Sequence, residues 1–163
     1  ELDVPVCDTA RQRVLPGCLD ENDREACLRQ TRGLVAETDV PESSVDSVAQ
    51  WTVDLFGARA PAVFERMRQC PQATELPPLF GDSGRPTAAA VFAIQEEWAV
   101  SLSDLIERRL MLIFDPRLSL ATLHDLADVL VAMGCLQRSD RESAISSEIM
   151  HLQDFYGKKV LSQ

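Results

Sequence analysis

Apolar residues recur at intervals of three and four along almost the whole chain, and nowhere do they alternate with polar residues as a half-buried strand demands. That spacing gathers apolar side chains on one face of a 3.6-residue helix. The expected fold is therefore all-α, a single-domain bundle of about six to seven helices with no sheet. The punctuation agrees with it. Asp20 is placed to cap a first helix reaching about Val35. Asp39 and Pro41 stand at the start of a second, in which Val45, Val48, Trp51, Leu55 and Phe56 share a stripe and Gly57 marks the end. A short third helix spans Pro61 to about Gln69. Thr87 opens a fourth, with Val91, Ile94 and Trp98 on one stripe. Ser101-x-x-Asp104 resembles a capping box for a fifth, from Leu102 to about Phe114, stopped by Asp115-Pro116. Ser119 opens a sixth, whose Leu120, Leu123, Leu126 and Leu130 repeat up to Gly134. Ser139-x-x-Glu142 has the capping-box pattern for a seventh, with Ile145, Ile149, Leu152 and Phe155 as its stripe and Gly157 at its end. Between the third and fourth, Pro71, Pro77, Pro78, Gly81, Gly84 and Pro86 forbid a continuous helix, so residues 71–86 read as one long loop, tied down in part by Leu79 and Phe80.

With 163 residues, 45% of them apolar, the chain can close one core. Its net charge of -10 argues against binding a phosphate backbone or an anionic lipid surface, both of which need clustered cations. Nucleic acid is therefore not an expected partner. No stretch has the roughly 18 apolar residues of a membrane span, and no signal peptide is visible. Cys7, Cys18, Cys27, Cys70 and Cys135 show neither a C-x-x-C pair nor metal-ligand spacing with His124 or His151. An odd, scattered set suits a reducing, cytoplasmic setting, with thiols such as Cys135 buried as small core residues. The start at Glu1 and the irregular run through Pro16-Gly17 read as a lead-in over residues 1–19 from a missing upstream domain, with residues 20–163 as the helical domain.

No complete catalytic constellation is legible. Seven glycines in no G-x-G-x-x-G order cannot cradle a pyrophosphate, and the only lysines, Lys158 and Lys159, rule out a P-loop. Glu96 and Glu97 are adjacent on a helix and so diverge by about 100°. Asp125 and Asp128 share a face but have no basic or aromatic recurrence beside them, and read as a solvated face. No catalytic, cofactor-binding or metal-ligating residue is assigned. The strongest polar group is Glu97, Asp104, Arg108 and Arg109, with Glu96, at the junction of the fourth and fifth helices. A guanidinium in apolar surroundings must find an anion. It is either an inter-helix ion-pair cluster or an arginine pair for a phosphate or carboxylate.

At this junction the sequence resembles the C-terminal helical domain of FAD-dependent glycerol-3-phosphate dehydrogenases. Phe92-Ala93-Ile94, Glu97-Trp98-Ala99, Leu102, Asp104 and Arg108-Arg109 fill the places of that family's signature. Leu55-Phe56-Gly57-x-x-Ala60 is similar to its preceding helix end, Cys7-x-Thr9 with Leu15-Pro16-Gly17 to its junction with the flavin domain, and Leu126 to Gly134 to its penultimate helix. The chain departs from the pattern at Leu110, where the family has Thr, and at Gln95-Glu96.

The resemblance implies a parent enzyme that binds FAD, oxidises sn-glycerol 3-phosphate to dihydroxyacetone phosphate, and lies in the cytoplasm or peripherally at the inner membrane. It implies no cofactor in this segment, no catalytic residue on these positions, and a cap that packs on the upstream flavin domain or mediates contacts in a homo-oligomer. A free-standing helical interaction or dimerisation module is the alternative reading.

Overall fold

The computed structural model describes residues 19–161; the expected lead-in, with Cys7, Cys18 and the Leu15-Pro16-Gly17 junction, lies outside those residues up to position 18. Helix α1 (Glu21–Ala36) begins where the sequence marks it: Asp20 is extended and its carboxylate accepts the Asp23 N–H at 2.8 Å, pairing one of the orphan donors of the first turn. Helix α2 (Val45–Phe56) is entered through a 3-10 turn, Glu42–Ser44, in which the Pro41 carbonyl accepts the Ser44 N–H at 2.8 Å. Asp39 therefore does not cap it. Gly57 ends it at φ 56°, and α3 (Ala60–Arg68) follows with Pro61 in its first turn.

Helix α1 lies on α2 and α3, and α3 on α4 (Thr87–Glu97); α4 also meets α5 (Leu120–Ala132), which carries α6 (Arg141–Tyr156). Every residue from Thr87 to Ala93 is buried. The expected one-sided stripe on α4 is thus an all-round contact surface, and four alanines, Ala88, Ala89, Ala90 and Ala93, let neighbouring backbones come close. Thr87 does not cap the helix; it lies within it, its hydroxyl without a partner. Phe92 meets Phe56 edge-on, ring centroids 5.4 Å apart.

The structure corrects further expectations. The long loop contains a minimal hairpin, β1 (Leu79–Phe80) antiparallel to β2 (Arg85–Pro86), with Phe80 opposite Arg85. Two residues per strand are too few to leave an alternating pattern. The fifth helix is a π-turn, Asp104–Arg109, followed by a 3-10 turn at Leu112–Phe114, so the described residues hold six α-helices. Its start nonetheless forms the expected box, with the Asp104 N–H donating to Ser101 Oγ at 3.1 Å and the Ser101 hydroxyl to Asp104 Oδ2 at 2.9 Å. The Ser139-x-x-Glu142 box does not form: a 3-10 turn, Arg138–Asp140, precedes α6, Ser139 donates to Asp140, and Glu142 is held by Arg141. Cys27 and Cys70 are buried, but Cys135 is only half-buried. Among the described residues no helix is long and apolar enough to cross a membrane.

Long-range bonds fix the loops. Asp125 Oδ2 accepts the Gly81 N–H at 2.6 Å, so Asp125 is not on a solvated face; it anchors the hairpin. The C-terminal tail returns to the start of α5, where the Leu120 N–H donates to the Leu161 carbonyl at 2.9 Å and the Leu161 N–H to the Leu118 carbonyl at 3.2 Å. Lys158 Nζ donates to the Asp115 carbonyl at 2.8 Å.

Gly81 combines φ 49° with a close approach: a Cβ there would lie 2.4 Å from Thr122 Oγ1 and 2.5 Å from the Thr122 nitrogen. Gly134 has φ 74° and open space. Gly134→Ala is expected to cost about 1 kcal/mol, the left-handed penalty alone. Gly81→Ala should cost at least about 2 kcal/mol, lowering Tm by about 4–8 °C. Equal losses in thermal melts of the two variants would show that the Thr122 contact is not what requires glycine.

Candidate functional site

Glu97 closes α4 and Arg109 closes the π-turn. Arg109 Nη1 comes to 4.0 Å from Glu97 Oε2, while Arg59 Nη1 binds Glu97 Oε1 at 3.0 Å and lies 4.7 Å over the Phe92 ring. Arg59 was not singled out from the sequence. Asp104 pairs instead with Arg108, one turn along the same segment, at 3.0 Å, and Arg108 faces solvent. The four expected residues thus form two separate pairs, each arginine engaged with a different carboxylate. Glu96 turns away to Arg66 at 2.8 Å. Burial pushes the Asp104 carboxyl up, but the Val100 N–H, the Ser101 hydroxyl and the Arg108 charge outweigh it and hold it below the usual carboxylate value.

These bonds fix a segment whose large apolar side chains point outward on either side of the π-turn. Trp98 is 87% exposed and Phe114 75%, with Val100 and Met111 also exposed. The expected place of Trp98 on the buried stripe of α4 is corrected here. Helix α4 stops at Ala93–Glu97, with the Trp98 and Ala99 N–H groups both donating to the Ala93 carbonyl, and this closure puts Trp98 in the left-handed region at φ 60°. Met111 is left-handed too, at φ 53°. Such positions ordinarily go to glycine; these are the described non-glycine residues with positive φ.

Behind Phe114 lies Asp115, whose carboxylate is 5% exposed and is shared by Arg85 at 3.1 Å and Arg117 at 3.3 Å. Burial raises this carboxyl, and the Arg117 N–H and side chain, with the charges of Arg117 and Arg85, more than reverse the effect, leaving it below its ordinary value. Arg85 also lies 5.0 Å over the Trp51 ring. Trp51, Leu55, Met111, Phe114 and Pro116 border a shallow groove of about 220 Å³ over this ion pair.

A second polar group lies between the π-turn and α6. Ser103 Oγ donates to Glu148 Oε2 at 2.5 Å, Tyr156 donates to Glu107 Oε2 at 2.5 Å, and His151 Nε2 stands 2.7 Å from Glu107 Oε1. Glu148 is buried, and its Oε1 has no partner. With Ser103, His151 and apolar walls it lines a cavity of about 360 Å³. Burial lifts the Glu148 carboxyl above its ordinary value; the Ser103 bond and the His151 charge oppose this and Glu107 adds to it. The sequence carried a signal for it that went unread: Glu148 sits three residues after Ile145 and four before Leu152, on the apolar side of α6. Arg141, the first residue of α6, binds Asp128 of α5 at 2.6 Å and His124 Nδ1 of α5 at 2.8 Å, so neither is a free catalytic group. Among the described residues no group of three or more His, Cys, Asp or Glu could hold a metal ion.

A protein-family model, the C-terminal domain of alpha-glycerophosphate oxidase, matches residues 7–143. No curated protein and no solved structure gives a match.

The Glu148 carboxyl provides a direct check on the polar group. Its folded value lies above the unfolded one, so the native chain keeps a proton that the unfolded chain releases, and stability is highest at or below the ordinary carboxylate range and falls as pH rises through the raised value. Glu148→Gln removes that penalty. We expect it to raise Tm at pH 7 by about 2–4 °C, the shift for roughly 1 kcal/mol in a chain of this size, and by less at pH 4. A gain independent of pH would remove burial of charge as its cause.

Proposed function

The chain belongs to the family of C-terminal domains of alpha-glycerophosphate oxidase, and on that premise we propose that it is a non-catalytic cap that packs on the FAD-binding part of a flavin oxidoreductase. In this reading the parent protein oxidises sn-glycerol 3-phosphate to dihydroxyacetone phosphate at FAD held upstream, in the cytoplasm or peripherally at the inner membrane. The cap contributes contacts, not chemistry.

The observation that supports this role is the exposure of Trp98, Met111 and Phe114 on a segment fixed by ion pairs. Non-glycine residues in the left-handed region cost about 1–2 kcal/mol each. Exposed aromatic side chains return none of that to their own domain. They do return it when another surface covers them, and Trp, Phe and Met are the residues that interface centres favour. The upstream part of the same protein is the natural occupant, because covalent connection gives it a high effective concentration. Arg108 and Arg117, both largely exposed, stand where a polar rim would be.

Trp98→Ser together with Phe114→Ser should leave Tm of this chain within about 2 °C, as exposed positions do. In the complete oxidase the same pair should speed proteolytic cleavage between the two parts by about tenfold or more, the equivalent of roughly 1.4 kcal/mol of lost contact. Trp98→Gly should keep or slightly raise the stability of the chain while weakening the contact in the same assay. Unchanged cleavage in the complete oxidase would sink the reading. Concentration-dependent dimerisation of the chain that disappears with Trp98→Ser would assign the surface to a second copy instead.

A further inference from the structure

The cavity between the π-turn and α6 is chemically unlike the rest of the molecule. Elsewhere among the described residues the buried and partly buried carboxylates named above are answered by arginine or by a backbone N–H: Glu97 by Arg59 and Arg109, Asp104 by Arg108, Asp115 by Arg85 and Arg117, Asp125 by the Gly81 N–H. Glu148 and Glu107 are not. Their partners are the Ser103 and Tyr156 hydroxyls and the His151 ring. Glu148 is 5% exposed, lines the cavity, and keeps Oε1 unpartnered. An acceptor left without a donor in such a place is costly unless something from outside supplies one. Glu107 stands behind His151 and adds to the negative field. Val100, Leu102, Leu130, Leu136 and Ala144 supply aliphatic wall, and Ser101 and Ser147 complete the lining.

We propose that this cavity receives an alkyl cation, a chain of several carbons ending in an ammonium or guanidinium, with the alkyl part against the aliphatic walls and the cationic head at the Glu148 carboxylate. The volume, about 360 Å³, is at the small end of ligand pockets and accommodates such a chain. The arrangement is the one by which long cationic side chains divide themselves between apolar surface and a polar partner. A divalent metal is not the match, since no three ligating side chains converge among the described residues. An anion would meet two carboxylates. Two sources share the required chemistry, a free alkylamine and a Lys or Arg side chain of the upstream part of the same protein; only the second rests on the docking role proposed above.

The test is titration of the 163-residue chain with n-butylammonium, n-butylguanidinium and, as the uncharged control, n-pentanol, followed by amide chemical shifts. Saturable shifts confined to Val100–Ser103 and Ser147–His151 are expected for the two cations, with n-pentanol at least about tenfold weaker. Glu148→Gln, which preserves shape and removes the charge, should weaken the cations about tenfold or more and leave n-pentanol unchanged. Arg108→Gln, outside the cavity, should change neither. Absence of saturable binding, equal binding of n-pentanol, or undiminished cation binding in Glu148→Gln overturns the proposal. Repeating the titration on the complete oxidase separates the sources. Retained binding there assigns the site to a free amine. Binding that is lost there but restored by cleaving the two parts assigns it to a side chain of the upstream part. Failure of the Trp98 and Phe114 variants above to alter cleavage would leave the cation result on the 163-residue chain standing.

Discussion

The burial of α4 on every side is the constraint on which the rest of the arrangement depends. A helix whose first seven residues are all covered has no solvated face to accommodate error. Alanine at four of those positions lets α3 and α5 lie near, and Phe92 locks edge-on against Phe56. The two ends are fixed as firmly as the middle. The hairpin delivers the chain to Thr87, and the Ala93 carbonyl, taking two N–H groups, turns it away at Trp98. Outward placement of Trp98 is thus a consequence of how α4 must end.

Charge is used in a consistent way around that core. The chain is strongly acidic, yet its arginines are mostly occupied: Arg59, Arg85, Arg109, Arg117 and Arg141 each contact a carboxylate that is partly or wholly withdrawn from water, or lie at its edge. Exposed ion pairs of this kind contribute little individually. The Asp115 and Glu97 groups differ because one partner is buried, so removing an arginine leaves a charge in a poor solvent. The Asp115 group ties loop segments together, and the Glu97 group ties the end of α4 to the turn before α3 and to the π-turn.

What could be read from the sequence follows from how local each determinant is. Asp20, Gly57, Ser119 and the Leu120–Leu130 repeat announce α1, α2 and α5 because cap and stripe are written within a few residues of the structure they specify. The family resemblance was carried by the same local run, Phe92 to Arg109. The π-turn was not legible, since its closure from the Leu110 N–H to the Leu105 carbonyl leaves the apolar spacing of Leu102, Leu105 and Ile106 looking like an ordinary helix. Ser139-x-x-Glu142 misled because Arg141 competes for Glu142. Asp125 looked solvated because its partner, Gly81, is distant in sequence. The polar group at Glu148 was missed for the opposite reason: its position on α6 was visible, but Ile149 and Phe155 offered a competing stripe, and Phe155 proves exposed.

The return of the tail to the start of α5 has a mechanical meaning. Leu161 is held between Leu118 and Leu120 by two backbone bonds, and Lys158 holds the Asp115 carbonyl. Tension applied at the C-terminal end therefore loads that clasp before any turn of α6 can peel away. The same clasp passes the load to the loop that presents Phe114. A tug on the tail is felt first at the Phe114 loop, and only afterwards in the helical core.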